Sequence, residues 1–274
     1  SGSTWSQQAY IKASNTDDFD LFGFRLALSG DGDTLAVNAE QEDSTATGIN
    51  GDHTDNTGNN TGAVFVFLRT GTTWAQQAYI KSASSTAGDR FGNELSLSTD
   101  GNTLAVSCYR DDSNATGING DPTDNSSGNS GAVYVFLRTG TTWAQQAYIK
   151  AANPDDDDRF GISCAISGDG NWLVVGAETE DSNATAIGGD QTNNTLSGAG
   201  AAYLFLRSGT SWSQHKYFKA SNPEGNDEFG ETIAISADGN TVAVGAHNED
   251  SNATGIGGNQ GNNSAVGSGA VYLY

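Results

Sequence analysis

Methionine is absent from the 274 residues, and proline and cysteine are scarce, with three and two residues. Glycine is abundant, and the polar residues are mainly serine, threonine, asparagine and aspartate. This composition is typical of strands joined by turns and argues against a helical protein. No apolar run is long enough to cross a membrane, and no signal peptide is visible. Disorder is excluded because the apolar residues fall in regular alternating runs.

Basic residues are also few: 12 lysines and arginines stand against 33 acidic residues, for a net charge of −21. Such a chain repels phosphate backbones and anionic membranes, which excludes nucleic acid as a partner and membrane insertion as a role. The charge suits cation binding, or solubility in salty water.

The two cysteines occupy positions that are apolar elsewhere in the sequence. Cys164 falls where other copies of a repeat have Leu26, Leu95 and Ile233, and Cys108 replaces an alanine. We expect both to be buried as small apolar side chains, while a disulfide between them stays open.

A strict repeat organises the chain. The sequence Gly-Ala-Val-(Phe/Tyr)-Val-Phe-Leu-Arg, a short loop and Thr-Trp-Ala-Gln-Gln-Ala-Tyr-Ile-Lys occurs at Gly62–Lys81 and Gly131–Lys150, and more loosely at Gly200–Lys219. The tryptophans Trp5, Trp74, Trp143 and Trp212 are each 69 residues apart. A fixed period means that one supersecondary unit is copied in series, so we expect one repeat domain over residues 1–274.

Each repeat is predicted to form four short strands. In the first copy these are Phe22–Ser29, Thr34–Ala39, Gly62–Arg69 and Thr73–Ser82. An Asp-Gly turn between the first two is a strong hairpin signal, and the long polar loop Glu40–Thr61 separates the second from the third. The fourth strand carries paired glutamines and a lysine, as an outer strand should.

The first two strands have large residues on one face and small residues on the other, so both faces are predicted to be buried between neighbouring copies. Twisted four-stranded antiparallel sheets packed face to face around an axis make a β-propeller. The predicted fold is therefore all-β, with four blades of 69 residues. Their approximate ranges are 22–82, 91–151, 160–220, and 229–274 together with 4–13.

The two ends of the sequence predict closure of the ring. The chain begins with a lone fourth strand, Thr4–Ala13, and finishes with a third strand, Ala270–Tyr274. If the first completes the last sheet, no edge strand is left over. A larger parent propeller, or a dimer with eight blades, stays open as an alternative because four blades is a small ring.

These motifs resemble FG-GAP repeats. The resemblance rests on Phe-Gly before each first strand, the Asp-Gly turn, the strand ends Val175–Ala177 and Val244–Ala246, and the later Gly-Ala-Val strand. FG-GAP repeats build the propeller of integrin α subunits and occur in many bacterial surface and secreted proteins, which this chain resembles most closely. The resemblance implies a secreted or cell-surface location and a role in adhesion or ligand binding, often supported by calcium.

One departure affects the calcium hypothesis. Integrin-type blades have an Asp-x-Asp-x-Asp-Gly-like calcium loop between their first two strands, whereas this chain has only Ser-Gly-Asp-Gly or a near variant. That connection is too short for such a cage, so calcium would have to bind elsewhere.

The acidic residues are concentrated in two sets of loops. In a blade the loops after strands two and four lie at the same end, and together they hold 26 of the 33 acidic residues with three arginines. We therefore expect one strongly negative face, with a charge of −23, and a nearly neutral remainder.

Three acidic positions recur in these loops and are the predicted calcium ligands. The first lies two residues before Phe-Gly, the second opens the long loop, and the third follows a glycine further on. They are Asp20, Asp89, Asp158 and Asp227; Asp43, Asp112, Asp181 and Asp250; and Asp52, Asp121 and Asp190. Calcium needs six to eight oxygen ligands. The alternative is that these side chains form turns that hold the loops rigid.

Catalysis is not expected. The histidines His53, His215 and His247 occupy different repeat positions, and no nucleophile triad or nucleotide-binding motif is present. The predicted function is an extracellular module whose acidic face binds a protein or glycan. Four alternatives stay open: a structural segment of a surface filament or large adhesin, self-association, a lectin, or a glycosidase with a carboxylate pair.

Overall fold

The computed structural model describes residues 4–274, and its regular structure consists entirely of β-strands. The first sheet contains β1 (Leu26–Leu28), β2 (Thr34–Ala39), β3 (Ala63–Thr70) and β4 (Thr73–Ile80). The second contains β5 (Leu95–Leu97), β6 (Thr103–Cys108), β7 (Ala132–Thr139) and β8 (Thr142–Ile149). All neighbours within each sheet are antiparallel and consecutive in sequence.

The third sheet contains β9 (Ser163–Ile166), β10 (Trp172–Ala177), β11 (Ala201–Ser208) and β12 (Ser211–Phe218). The fourth has three strands, β13 (Thr232–Ile235), β14 (Val242–Ala246) and β15 (Ala270–Leu273). The all-β, propeller-like arrangement of four sheets is thus confirmed, as is the four-strand repeat in the first three.

The first strand of each repeat is shorter than the sequence predicts. The predicted strand begins at Phe22, but β1 begins at Leu26. Leu21 and Gly23 have φ angles of 57° and 94°, in the left-handed region, which interrupts an extended strand. The Phe-Gly pair therefore forms a turn, and the amide of Gly23 donates to the carbonyl of Asn38 at 2.9 Å.

Neighbouring sheets pack through one large-residue face and one small-residue face, as predicted. In the first interface, Val64, Val66 and Ala78 of the first sheet contact a cluster that includes Phe91 and Tyr134 of the second. The same arrangement recurs between the second and third sheets and between the third and fourth. Each Phe-Gly phenylalanine lies edge-on to an aromatic residue of its own third strand, as Phe91 does to Tyr134. The core therefore lies between the sheets.

The hairpins at the other end of the molecule form a chain of backbone hydrogen bonds. Gly30 donates to the carbonyl of Thr99, Thr99 to Gly168, and Gly168 to Ala237, each at 2.9 Å. Within residues 4–274 no such bond returns from Ala237 to Gly30.

The predicted closure of the ring is not observed in the part of the chain that the structure describes. Residues 4–13 form no strand there and do not pair with β15. Instead Ile11 and Ala13 pack against the first sheet, beside Phe65 and Tyr79. The sheets stack face to face, but among residues 4–274 no strand of the first sheet pairs with a strand of the fourth.

Candidate functional site

The long loop after each second strand and the loop after each fourth strand lie at the same end of the molecule, as predicted. Ser85 Oγ donates to the carbonyl of Ala46 at 2.6 Å, and Asn222 Nδ2 donates to the carbonyl of Gln260 at 3.0 Å. Isolated bridges also join the long loops to the fourth strands, at Ile49–Ile80, Ile118–Ile149 and Ile187–Phe218. We call this end, made of residues 14–21, 40–61 and their copies, the acidic loop face.

The aspartates that precede Phe-Gly are buried. Asp20, Asp89, Asp158 and Asp227 each accept a hydrogen bond from the backbone amide three residues earlier, at 2.9–3.0 Å. Burial raises the pKa of Asp89 and of Asp158 to about 8. In Asp89 the second oxygen, Oδ1, has no hydrogen-bond partner among residues 4–274. These side chains therefore close tight turns, and two of them are protonated near neutral pH.

The aspartates that open the long loops tie the two ends of each loop together. Their Oδ1 atoms accept from a backbone amide 17 residues later, at 2.6–2.7 Å. These acceptors are Asp43, Asp112, Asp181 and Asp250, and all are half-buried. Each such bond fixes the base of a loop of more than a dozen residues.

The third set lies at the exposed rim of the face. Asp52, Asp121 and Asp190 each accept from the amide and the hydroxyl of the threonine two residues on, at 2.9 and 2.7 Å. These bonds lower the pKa of the three carboxyl groups. The rim therefore presents rigid, ionised carboxylates at the same position in three successive repeats.

The structure also shows a buried ion pair in each of the first three repeats, which the sequence analysis missed. Lys81 Nζ lies 2.8 Å from Glu42 Oε2, and it donates to Thr61 Oγ1 at 2.6 Å. The hydroxyl of Tyr79 donates to Glu42 Oε1 at 2.7 Å. Burial lowers the pKa of Lys81, although Glu42 opposes that shift. The fourth strand is thus polar and exposed only in its first half.

The other two copies keep this arrangement with small changes. Lys150 lies 3.3 Å from Asp111 Oδ1, where the shorter aspartate replaces glutamate, and Lys219 lies 2.8 Å from Glu180 Oε2. The signal that could have revealed these pairs was the recurrence of lysine after each fourth strand together with an acid just before Asp43, Asp112 and Asp181. Each of the three buried lysines neutralises one acidic residue of the acidic loop face.

The predicted calcium ligands do not converge into one coordination sphere. Among residues 4–274, no group of three or more acidic, histidine or cysteine side chains is placed to hold a metal ion. Each recurrent aspartate instead accepts hydrogen bonds from backbone amides of its own loop, locally in the first and third sets and across the base of the loop in the second. Calcium also binds through amide and backbone carbonyl oxygens, so calcium binding stays a prediction from the sequence.

The two cysteines are buried and free, so the expectation of apolar packing is confirmed and no disulfide joins them. In the described residues no helix could span a membrane.

Comparisons with known proteins place the chain among repeat proteins. The sequence profile of the FG-GAP repeat matches four segments, residues 5–67, 74–136, 143–205 and 212–274. The second, third and fourth matched segments begin in the fourth strand of one sheet and end in or directly after the third strand of the next, so one sequence repeat spans two sheets. No curated protein matches the chain.

Solved structures with a similar fold have unrelated sequences. A Bacteroides uniformis protein assigned by name as a 6-phosphogluconolactonase is 12% identical, with a TM-score of 0.48, over 96% of this chain and 62% of its own. An Agrobacterium tumefaciens protein named as TolB is 12% identical, with a TM-score of 0.41, over 94% and 76%. A periplasmic gluconolactonase from Pseudomonas aeruginosa is 14% identical, with a TM-score of 0.36, over 89% and 68%.

These neighbours correct one prediction. From its sequence the chain was expected to have no enzymatic activity, but two of the three similar structures carry the names of enzymes, so that exclusion was wrong. At such low identity the likeness concerns the fold alone and assigns no activity to this chain. The chain spans less than two thirds of the length of the first of these structures.

Proposed function

The chain belongs to the FG-GAP repeat family, and on that premise we propose that it is a secreted or cell-surface binding module. Its acidic loop face would contact a protein or glycan partner. The observation that carries this proposal is the charge segregation: 26 of 33 acidic residues belong to the loops of one end. A field of one sign over a surface steers and selects partners of the opposite sign.

The rim carboxylates suit such a role because they are both exposed and fixed. Asp52, Asp121 and Asp190 are held by threonine hydrogen bonds, so their ordering costs little when a partner binds. They are also ionised at all physiological pH values, since their pKa values are lowered. We expect basic side chains of a partner to contact this row.

The test uses an oligolysine peptide as the probe, titrated at low and at high salt. The triple variant Asp52→Asn, Asp121→Asn, Asp190→Asn removes three charges and keeps an acceptor oxygen in each turn. The matched control is Asp31→Asn, Asp100→Asn, Asp169→Asn, which removes three charges from the hairpins at the opposite end, where each aspartate also accepts from a nearby serine.

We expect the rim variant to weaken binding several-fold more than the control, and high salt to weaken binding of the wild type. Equal effects of the two variants would show that only net charge matters, which would contradict a role for the loop face. Repeating the titration in EDTA tests whether calcium takes part.

A structural role within a larger assembly is the second candidate function. It is favoured by the exposed apolar faces of the first and fourth sheets, including Leu26 and Leu273.

A further inference from the structure

The buried ion pair of the second repeat differs from the other two in its spacing. Lys150 Nζ lies 3.3 Å from Asp111 Oδ1, whereas the lysine–glutamate pairs of the first and third repeats are 2.8 Å apart. Neither side chain is more than 2% exposed. Lys150 Nζ also donates to Ser130 Oγ at 2.8 Å, which holds the amine beside the carboxyl group. Because the carboxyl carbon is only about 1.2 Å from Oδ1, the amine is near the separation of about 3–3.5 Å from which bound groups react.

Two tyrosine hydroxyls donate to the carboxyl group of Asp111, one to each oxygen. The hydroxyl of Tyr148 donates to Oδ1 at 2.8 Å, and that of Tyr134 donates to Oδ2 at 3.3 Å. The amide of Ser113 adds a third bond, to Oδ1 at 3.1 Å. Fixed donors around a carbonyl group stabilise the negative charge that develops on its oxygen when a nucleophile attacks the carbon. The donors around Asp111 are therefore placed to assist attack on its carboxyl carbon.

The tyrosine pair is a feature of the second repeat. In the first repeat Phe65, which has no hydroxyl, stands at the position of Tyr134. In the third repeat the hydroxyl of Tyr203 donates instead to Asn153 Oδ1, at 3.0 Å. The second repeat has the shorter Ser84 in place of that asparagine, and there the tyrosine hydroxyl reaches the carboxyl group. The aspartate and the serine thus distinguish this pair from the ionic pairs of the neighbouring repeats.

We propose that Lys150 and Asp111 join through an isopeptide bond, an amide between the two side chains. The ammonium group of Lys150 first passes one proton to the carboxylate, because burial favours a neutral amine and a neutral acid over two charges. Burial also lowers the pKa of Lys150, although Asp111 opposes that shift. The pair then consists of a nucleophile and an acid held side by side.

The bond forms by loss of one water molecule. The lone pair of Lys150 Nζ attacks Cγ of Asp111, and the hydroxyl groups of Tyr134 and Tyr148 stabilise the resulting oxyanion. The C–O bond to the protonated oxygen then breaks, and that hydroxyl leaves with one of the two amine protons as water. No electrons are exchanged, so the reaction needs no oxidant or reductant. The fold holds both groups together, and the closed site keeps water from reversing the step.

The bond would fasten the long loop of the second repeat to its sheet covalently. Asp111 lies at the start of the loop that follows β6, and Lys150 follows β8, 39 residues later. Unfolding could then no longer separate these two segments. The bond lies inside one repeat, and its formation does not depend on the proposed binding function.

Mass spectrometry of the full chain tests the proposal. The wild type is expected to be lighter than its sequence by the mass of one water molecule. Trypsin cleaves after unmodified lysine and arginine, so in the denatured protein it should fail to cut after Lys150, and residues 111–138 should stay joined to residues 139–159. Lys81 and Lys219, which belong to the ionic pairs, are internal controls and should be cleaved normally.

Two results would overturn the proposal. The first is a mass equal to that of the sequence, with cleavage after Lys150. The second is a loss of water caused by cyclisation of an aspartate at an Asp-Gly turn, such as Asp100 with Gly101. That product would have the same mass as the isopeptide but would leave Lys150 open to trypsin. Because the wild type is used, neither result depends on whether a variant folds.

Tyr134→Phe tests the part that the tyrosine hydroxyls take. The first repeat carries Phe65 at this position, so the fold accommodates the change. The mass of the chain is followed over time after cell-free synthesis, and we expect water loss to slow by at least about tenfold. Tyr203→Phe is the matched control, because its hydroxyl donates to Asn153 rather than to a carboxyl group, and it should leave the rate unchanged. Equal rates in the two variants would contradict the role assigned to Tyr134.

Discussion

Lys81 and Glu42 form an ion pair of 2.8 Å in which neither side chain is more than 1% exposed. The lysine follows a fourth strand and the glutamate begins a long loop, so the pair fastens the acidic loop face to its sheet. Because Tyr79, Thr61 and Asn15 supply additional hydrogen bonds, both charges are largely satisfied without water. The same arrangement in two further repeats makes it a structural element of the fold.

Removal of one partner of this pair should destabilise the protein strongly. Lys81→Met leaves the carboxylate of Glu42 buried without its cation, at a cost of about 3–5 kcal/mol. Urea denaturation measures this loss. Lys216→Met is the control and should cost less than about 0.5 kcal/mol because that lysine is exposed. A small effect of Lys81→Met would mean that water reaches the site.

Stability should fall as the pH rises from about 4 to about 8. The pKa of Asp89 and of Asp158 is raised from 3.8 to about 8 in the folded protein, mainly by burial. In that range the folded state binds more protons than the unfolded state, so deprotonation favours unfolding. The double variant Asp89→Asn, Asp158→Asn should have a melting temperature that depends less on pH. At pH 8 its melting temperature should be higher than that of the wild type. An unchanged slope in thermal melts would show that these groups ionise freely.

Gly62 should tolerate no side chain. It has a φ of +79°, and a Cβ there would lie 2.3 Å from the carbonyl oxygen of Phe91 in the next sheet. Gly62→Ala is therefore expected to cost about 3 kcal/mol or more, from backbone strain and from separation of the sheets. Gly71→Ala is the matched control, since Gly71 has a φ of +66° with open space around it, and it should cost only about 1 kcal/mol. Similar losses in urea denaturation would contradict the close packing at Gly62.

The calcium hypothesis can be tested on the protein alone. A ligand that binds only the folded state raises its melting temperature. If calcium occupies the loops around Asp43 and Asp52, millimolar calcium should raise the melting temperature by several degrees over EDTA, and magnesium should not. The same melting temperature with calcium and with magnesium would contradict a specific calcium site. It would indicate that the loops are held by their own hydrogen bonds, such as that from the amide of Asn60 to Asp43.

The sequence alone determined the repeat, the antiparallel order of the strands and the end at which the acidic loops lie. These features depend on short-range patterns: alternation along a strand, Asp-Gly at a hairpin, and a constant interval of 69 residues between Trp74 and Trp143. The sequence also allowed the alternative that Asp52 forms a turn, because the threonine that donates a hydrogen bond to it lies only two residues later.

Only the tertiary structure decided which polar residues are buried and whether residues 4–13 pair with β15. Lys81 and Glu42 are 39 residues apart, and their burial depends on how a loop folds across a strand. The raised pKa of Asp89 likewise depends on its burial and on the carboxylates of Asp111 and Asp112, which lie more than 20 residues away in the sequence. Closure depends on the small rotation between successive sheets, summed over four copies, and no local sequence pattern specifies that angle. The sequence predicted that residues 4–13 pair with β15, whereas the structure places Ile11 and Ala13 against the first sheet.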